Sequence, residues 1–234
     1  TADGAIQIEK DYATAWFVKG LIHNNIAQKK PNEYKAAAEY FKKAIQITEE
    51  RSKKKVAPAN YYFNLGMALE KFADFSEAEK ELKRTIEIDP YNPTYLNYLG
   101  YMYSLRNIHL DEANTLVLRA LEDDPENEAY LDTFGWIQFK LGHYREALEQ
   151  LTVAASFAEK KKPVDSVIYF HLAEVHAKLI NRITAIEYYQ KTLATIDKAS
   201  EPLDVEYIRE QIKKLELDNK QNPKTKKEHS EDKK

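Results

Sequence analysis

The chain has 234 residues, a formal net charge of −3 with a pI near 6.1, and no cysteine. That balance provides no basic field for a nucleic-acid backbone. Zero cysteines exclude disulfides and thiolate chemistry, and no stretch approaches the roughly 20 apolar residues of a membrane span.

In chain order, GAIQIEKDYATAW reads as the end of a second helix running into a first one, because Ala5 stands where the small residue of such a helix belongs. A short N-terminal cap over residues 1–12 is the other reading, and the residues leave both open. AWFVKGLIH then supplies Trp16 and Gly20, and AAEYFKKAI supplies Ala37, Phe41 and Ala44 after an insertion around Pro31. Next comes YYFNLGMALEKFADFSEAEKELKRTIEIDP, ending at Pro90, then YLNYLGYMYSLRNIHLDEANTLVLRALEDDP, ending at Pro125, then YLDTFGWIQFKLGHYREALEQLTVAASF. YFHLAEVHAKL puts Ala173 in the glycine slot, and AIEYYQKTL adds Ala185 and Tyr189.

Gly20, Gly66, Gly100 and Gly135 recur 34 to 46 residues apart, followed in turn by Ala37, Ala78, Ala113 and Ala147. Self-similarity at such a period marks a stack of repeated helix pairs. The small residues let two helices cross closely, so a side chain in place of Gly100 overpacks the contact by about 1 to 3 kcal/mol. The spacing predicts five repeats, over 13–57, 58–92, 93–126, 127–162 and 163–198. The prolines fall between predicted helices or in their first turns, where the ring is tolerated. Pro202 is expected to start a capping helix over 199–217, with Val205, Ile208, Ile212 and Leu215 on one face. Residues 218–234 contain no apolar side chain and are expected to be disordered.

These copies resemble the tetratricopeptide repeat, whose pattern is W-x2-L-G-x2-Y, then A-x3-F, then P. Tyr62, Leu96 and Leu131 take the Trp slot; Leu65-Gly66, Leu99-Gly100 and Phe134-Gly135 take the Leu-Gly pair. Gln138 and His176 depart from the pattern at its second aromatic slot. The resemblance implies an all-α, right-handed α-solenoid of about five helix-turn-helix repeats with a C-terminal capping helix. It also implies that the first helix of each repeat lines a concave surface. The slots offset from the Leu-Gly pair then give Phe17, Leu21, Phe63, Met67, Asn97, Tyr101, Asp132, Trp136, Phe139 and Phe170 as candidate partner-binding residues, with Glu174 in the last set. On this reading Trp16 fills the buried slot and Trp136 the groove. Contiguous exposed apolar surface marks an interaction site, and aromatic rings dominate binding hot spots. The alternative is that some of these rings are buried between neighbouring repeats.

The histidines at 23, 109, 143, 171, 176 and 229 lack the H-E-x-x-H spacing of zinc hydrolases. There is no G-x-G-x-x-G, G-x-x-x-x-G-K-[ST] or G-x-S-x-G. No cofactor, metal or catalytic residue is expected. With no cation beside Asn64 and Asn97, a clamp for a chaperone-tail carboxylate is not expected either. The function that fits is a non-enzymatic scaffold holding an apolar segment of a protein partner. The alternatives are an accessory module of a larger, cell-envelope protein, or a homo-oligomer that associates through the groove. Resemblance to bacterial tetratricopeptide proteins leaves cytoplasm and periplasm equally open.

Overall fold

A computed structural model describes residues 12–53, 55–161, 163–200 and 202–221. All of its regular structure is helical. The helices are α1 (Ala13–Ala27), α2 (Glu33–Arg51), α3 (Ala59–Lys71), α4 (Phe75–Ile88), α5 (Pro93–Arg106), α6 (Leu110–Asp123), α7 (Glu128–Lys140), α8 (Tyr144–Lys161), α9 (Ser166–Lys178), α10 (Arg182–Ala194) and α11 (Val205–Gln221), with one 3-10 turn at Ile196–Lys198. The chain divides into two compact units, Thr1–Leu99 and Gly100–Lys234, with the division inside α5.

In the first unit α1 packs on α2, α2 on α3, and α3 on α4; in the second α7 packs on α8, α8 on α9, α9 on α10 and α10 on α11. The glycine–alanine pairing has a steric cause. A Cβ on Gly66 would lie 2.7 Å from Leu82 Cγ and 3.3 Å from the Ala78 carbonyl oxygen, and one on Gly135 would lie 2.7 Å from Leu151 Cγ and 3.2 Å from the Ala147 oxygen. The helices of a pair touch backbone to side chain there, and only hydrogen fits. At Gly20 the blocking group is the Phe41 ring, 2.5 Å away, and not Ala37.

Seven residues after Gly66, Gly100, Gly135 and Ala173 the backbone turns left-handed, at Ala73, Asn107, Gly142 and Ile180. The next N–H reaches back to the last turn of the helix: Asp74 to Leu69, Ile108 to Tyr103, His143 to Gln138, Asn181 to His176. This satisfies orphan carbonyls and reverses the chain.

Each unit contains a carboxylate held by tyrosine. In the first, Glu49 accepts from the Tyr62 hydroxyl at 2.6 Å and from Arg84 at 2.6 Å. The Arg84 guanidinium also stacks over the Tyr62 ring at 4.3 Å. Burial, then the bond to Glu49, pushes the Tyr62 phenol up to about 12.

Several boundaries differ from the sequence reading. Pro202 precedes the last helix instead of starting it, and that helix runs on through Asp218 to Gln221. Residues 1–11 and 222–234 lie outside the described residues, as do the readings made of them. Trp16, expected in a buried slot, is half-buried and stacks on Tyr40 at 5.9 Å.

Candidate functional site

Two N-caps set the helices that carry the most developed site. Asn127 Oδ1 accepts from the Ala129 and Tyr130 N–H groups at the start of α7. Asp165 Oδ1 accepts from the Val167 N–H at the start of α9 and from the Ser200 N–H. Such caps satisfy otherwise orphaned donors and fix where each helix begins.

With α7 and α9 so placed, Asp132, Trp136 and Phe139 from one meet Phe170 and His171 from the other. The Trp136 indole stacks on two rings, on Phe139 at 4.6 Å from the same helix and on His171 at 4.0 Å from α9. His171 Nδ1 donates to both oxygens of Asp132, at 2.9 and 3.1 Å. A carboxylate only accepts, so the bond assigns the proton to Nδ1. Phe170 leans on Trp136, Tyr189 and Tyr207 at 6.3 to 6.4 Å.

Two charged groups border these rings. Lys140 Nζ sits 4.5 Å over the Trp136 ring, an arrangement the ring quadrupole favours. Desolvation holds its ammonium below the usual lysine range, partly opposed by Glu174. Among the described residues Lys140 forms no ion pair. Glu174 Oε1 accepts from Tyr189 at 2.5 Å and from Tyr207 of α11 at 3.1 Å. Burial, then the Glu174 charge, pushes the Tyr207 phenol up to about 12 and raises Tyr189 further.

The candidates therefore separate by environment. Asp132, Trp136 and Phe139 were expected on a solvent-facing surface and are buried, as is Phe17, which stacks on Tyr61 at 4.1 Å and tilts against Phe41. The neighbouring helix closes over each of them. Phe63 is half-buried against Tyr95 and Tyr98, and Met67 and Asn97 are half-buried. Asn97 Oδ1 and Trp136 Nε1 are enclosed and have no hydrogen-bond partner among the described residues. Tyr101 is half-buried against the second unit's core, and Leu21 is exposed. The structure brings Asp132, Trp136, Phe139 and Phe170 into one cluster. Phe17, Leu21, Phe63, Met67 and Asn97 belong to the first unit.

Sequence reasoning missed Lys140, His171 and Tyr207. His171 looked like an ordinary helix residue. Its signal was its slot two residues before Ala173, on the face that meets the preceding pair. Among the described residues no group of three or more His, Asp or Glu side chains could hold a metal, and no helix is long and apolar enough to cross a membrane.

Paired helices that recur with a fixed glycine register define an all-α repeat protein. A family profile described as tetratricopeptide repeat matches residues 59–92. The chain is 32% identical over 112 residues to a TPR repeat-containing protein of Pseudomonas aeruginosa, PA4667, covering 48% of this chain and 19% of that protein. The match thus spans about a fifth of the relative's length. Among solved structures, the fold is similar to the APC/C hetero-tetramer Cut9–Hcn1, with a TM-score of 0.75 at 13% identity, covering 94% of this chain and 39% of that one. It is also similar to TTC0263, a thermophilic TPR protein of Thermus thermophilus, with a TM-score of 0.62 at 18% identity, covering 88% and 99%. For pilF of Pseudomonas aeruginosa the TM-score is 0.61 at 16% identity, covering 92% and 94%. The chain is thus similar to tetratricopeptide-repeat proteins, with residues 59–92 matching the repeat itself.

Proposed function

We propose that the chain is a non-enzymatic scaffold whose five repeats present a face for a partner segment, and that the α7–α9 cluster anchors it. Tetratricopeptide-repeat proteins generally act as protein-interaction scaffolds. The observation that carries the finer reading is Lys140. Its ammonium is partly dehydrated, held over a buried indole, and in no ion-pair contact among the described residues, with the Glu174 charge acting on it only from a distance. A charge in that state gains more from an incoming anion than a fully hydrated one does. The half-buried Phe170 ring beside it offers apolar contact at little side-chain entropy cost. The fitting ligand is a segment that pairs an aromatic or branched apolar residue with an acidic one.

Panning a displayed peptide library on the full chain tests this. Enriched sequences should combine those two residue types and lose binding to a folded Lys140→Gln variant. Equal capture by wild type and Lys140→Gln would sink the reading. A second reading, an accessory module within a larger protein, is supported by the relative's greater length. Immunodetection of the native protein at a mass well above 27.2 kDa would favour it, and detection at that mass would count against it.

A further inference from the structure

Helices α9, α10 and α11 border a cavity that the scaffold reading does not use. Its volume is about 260 Å³, and all of its lining lies in the second unit. That is below the roughly 300 to 1,000 Å³ of sites for drug-sized molecules, so its guest is small.

The residue that calls for a guest is Glu174. It is 9% exposed, and the two phenols that reach it, Tyr189 and Tyr207, both donate to one oxygen, Oε1. Oε2 accepts no hydrogen bond among the described residues, although the side chain lines the cavity. A buried carboxylate oxygen left without a donor bears its desolvation cost uncompensated.

The rest of the lining says which donor fits. Asp218 shares the cavity with three cations from three helices: Lys178 at the end of α9, Arg182 at the start of α10 and Lys214 on α11. Neither carboxylate and none of the cations forms an ion pair among the described residues. A guest of one sign is therefore opposed. A lone ammonium suits Glu174 but meets three like charges, and a lone anion suits the cations but faces the open oxygen of Glu174. A small guest that carries both signs satisfies both sides. Its ammonium donates to Oε2, and its carboxylate accepts from Arg182, whose planar fork matches that group, and from the two lysines. The remaining wall is apolar, with Ala177, Ile180 and Leu215 beside the two tyrosines.

We infer that this cavity binds a free α-amino acid with an aliphatic side chain, its ammonium on Glu174 and its carboxylate on Arg182, Lys178 and Lys214. Lys140 is not among the residues that line it, so the site stands or falls apart from the partner-segment reading.

Isothermal titration calorimetry of the full chain with L-leucine, to about 10 mM, should give a saturable one-to-one isotherm. N-acetylleucine and leucinamide each lack one of the two charges and stand for the two ends of a peptide. Each should bind at least about tenfold more weakly, the loss of a charge-assisted hydrogen bond. Glu174→Gln should weaken leucine by a similar factor and leave N-acetylleucine unchanged. Because Glu174 also holds two tyrosines, Arg182→Gln supplies a variant with no internal partner to lose; it should weaken leucine as much while keeping the wild-type Tm. A wild type that takes up no leucine overturns the proposal. Equal binding of N-acetylleucine or leucinamide overturns it too, by assigning the cavity to a chain terminus, as does leucine binding that both variants leave unchanged.

Discussion

Leu21 in the first unit and Trp136 in the second each follow their repeat's glycine by one residue, yet Leu21 is 39% exposed and Trp136 only 6%. The position in the repeat fixes the direction a side chain takes from its helix. What it meets is decided by the next pair. Trp136 is closed in because α9 brings His171 onto its face and Phe170 to its edge. The same contrast separates Phe17, stacked on Tyr61, from Phe63, left half-open between Tyr95 and Tyr98. An aromatic residue in a ligand-facing slot is therefore either a contact or a support for one, and only its neighbours tell which.

Truncation separates the two slots most sharply. Trp136→Ala removes a buried ring stacked on Phe139 and His171 and should cost about 3 to 5 kcal/mol. Leu21→Ala removes an exposed side chain and should stay within about 0.5 kcal/mol. Urea unfolding followed by circular dichroism measures both, and equal losses would erase the contrast. Gly135→Ala comes next: its new Cβ meets Leu151 and the Ala147 carbonyl, an overpacking of about 1 to 3 kcal/mol. Gly142→Ala in the same repeat meets nothing within 4 Å and pays only for its positive φ of 85°. A smaller Tm loss at Gly135 than at Gly142 would contradict close helix approach as the reason for the repeat's glycine.

Alkaline titration compares the tyrosine–carboxylate sites of the two units. The phenols of Tyr62 and Tyr207 are pushed from the ordinary 10.0 up to about 12, so each folded site holds its proton more tightly than the unfolded chain does. Their contribution is complete below about 10 and is lost as pH rises through about 12. Stability should fall across that window in the wild type. Tyr62→Phe and Tyr207→Phe should each flatten the fall; an unchanged slope in both variants would show that these sites do not govern it.

The repeat period, the glycine–alanine crossings and the helix pairs were legible in the sequence because close packing leaves few residue types at those positions. Burial of Trp136 and Asp132 was not legible, since it depends on His171 in the following repeat, 39 residues beyond Asp132. His171 departs from the hydrophobic pattern and is satisfied by a partner that no local window contains. Lys140 was hidden for a related reason. A lysine in a helix's last turn is ordinary, and only the ring beneath it makes it notable. Tyr207 stands outside the set Val205, Ile208, Ile212 and Leu215 that marks the cap's apolar face, and only the fold shows its hydroxyl reaching Glu174.

The smallest effect sharpens the comparison at the turns. Ala73 and Ile180 hold equivalent left-handed positions, seven residues after Gly66 and Ala173, with φ of 69° and 63°. A β-branched residue is the more strained of the two, because its Cβ substituents crowd the carbonyl oxygen in that region. The hydrogen bond that closes each turn is main-chain to main-chain, from Asp74 to Leu69 and from Asn181 to His176, so a glycine preserves it. Ile180 is also exposed, and little packing is lost with its side chain. Relief of about 1 to 2 kcal/mol of backbone strain, offset by about 0.5 to 1 for glycine's greater freedom in the unfolded chain, leaves a net gain. Ile180→Gly should therefore raise stability by up to about 1 kcal/mol, and Ala73→Gly by less. Thermal unfolding of the pair decides it: a Tm lowered by Ile180→Gly would mean that the isoleucine holds its turn by contacts stronger than the strain it bears.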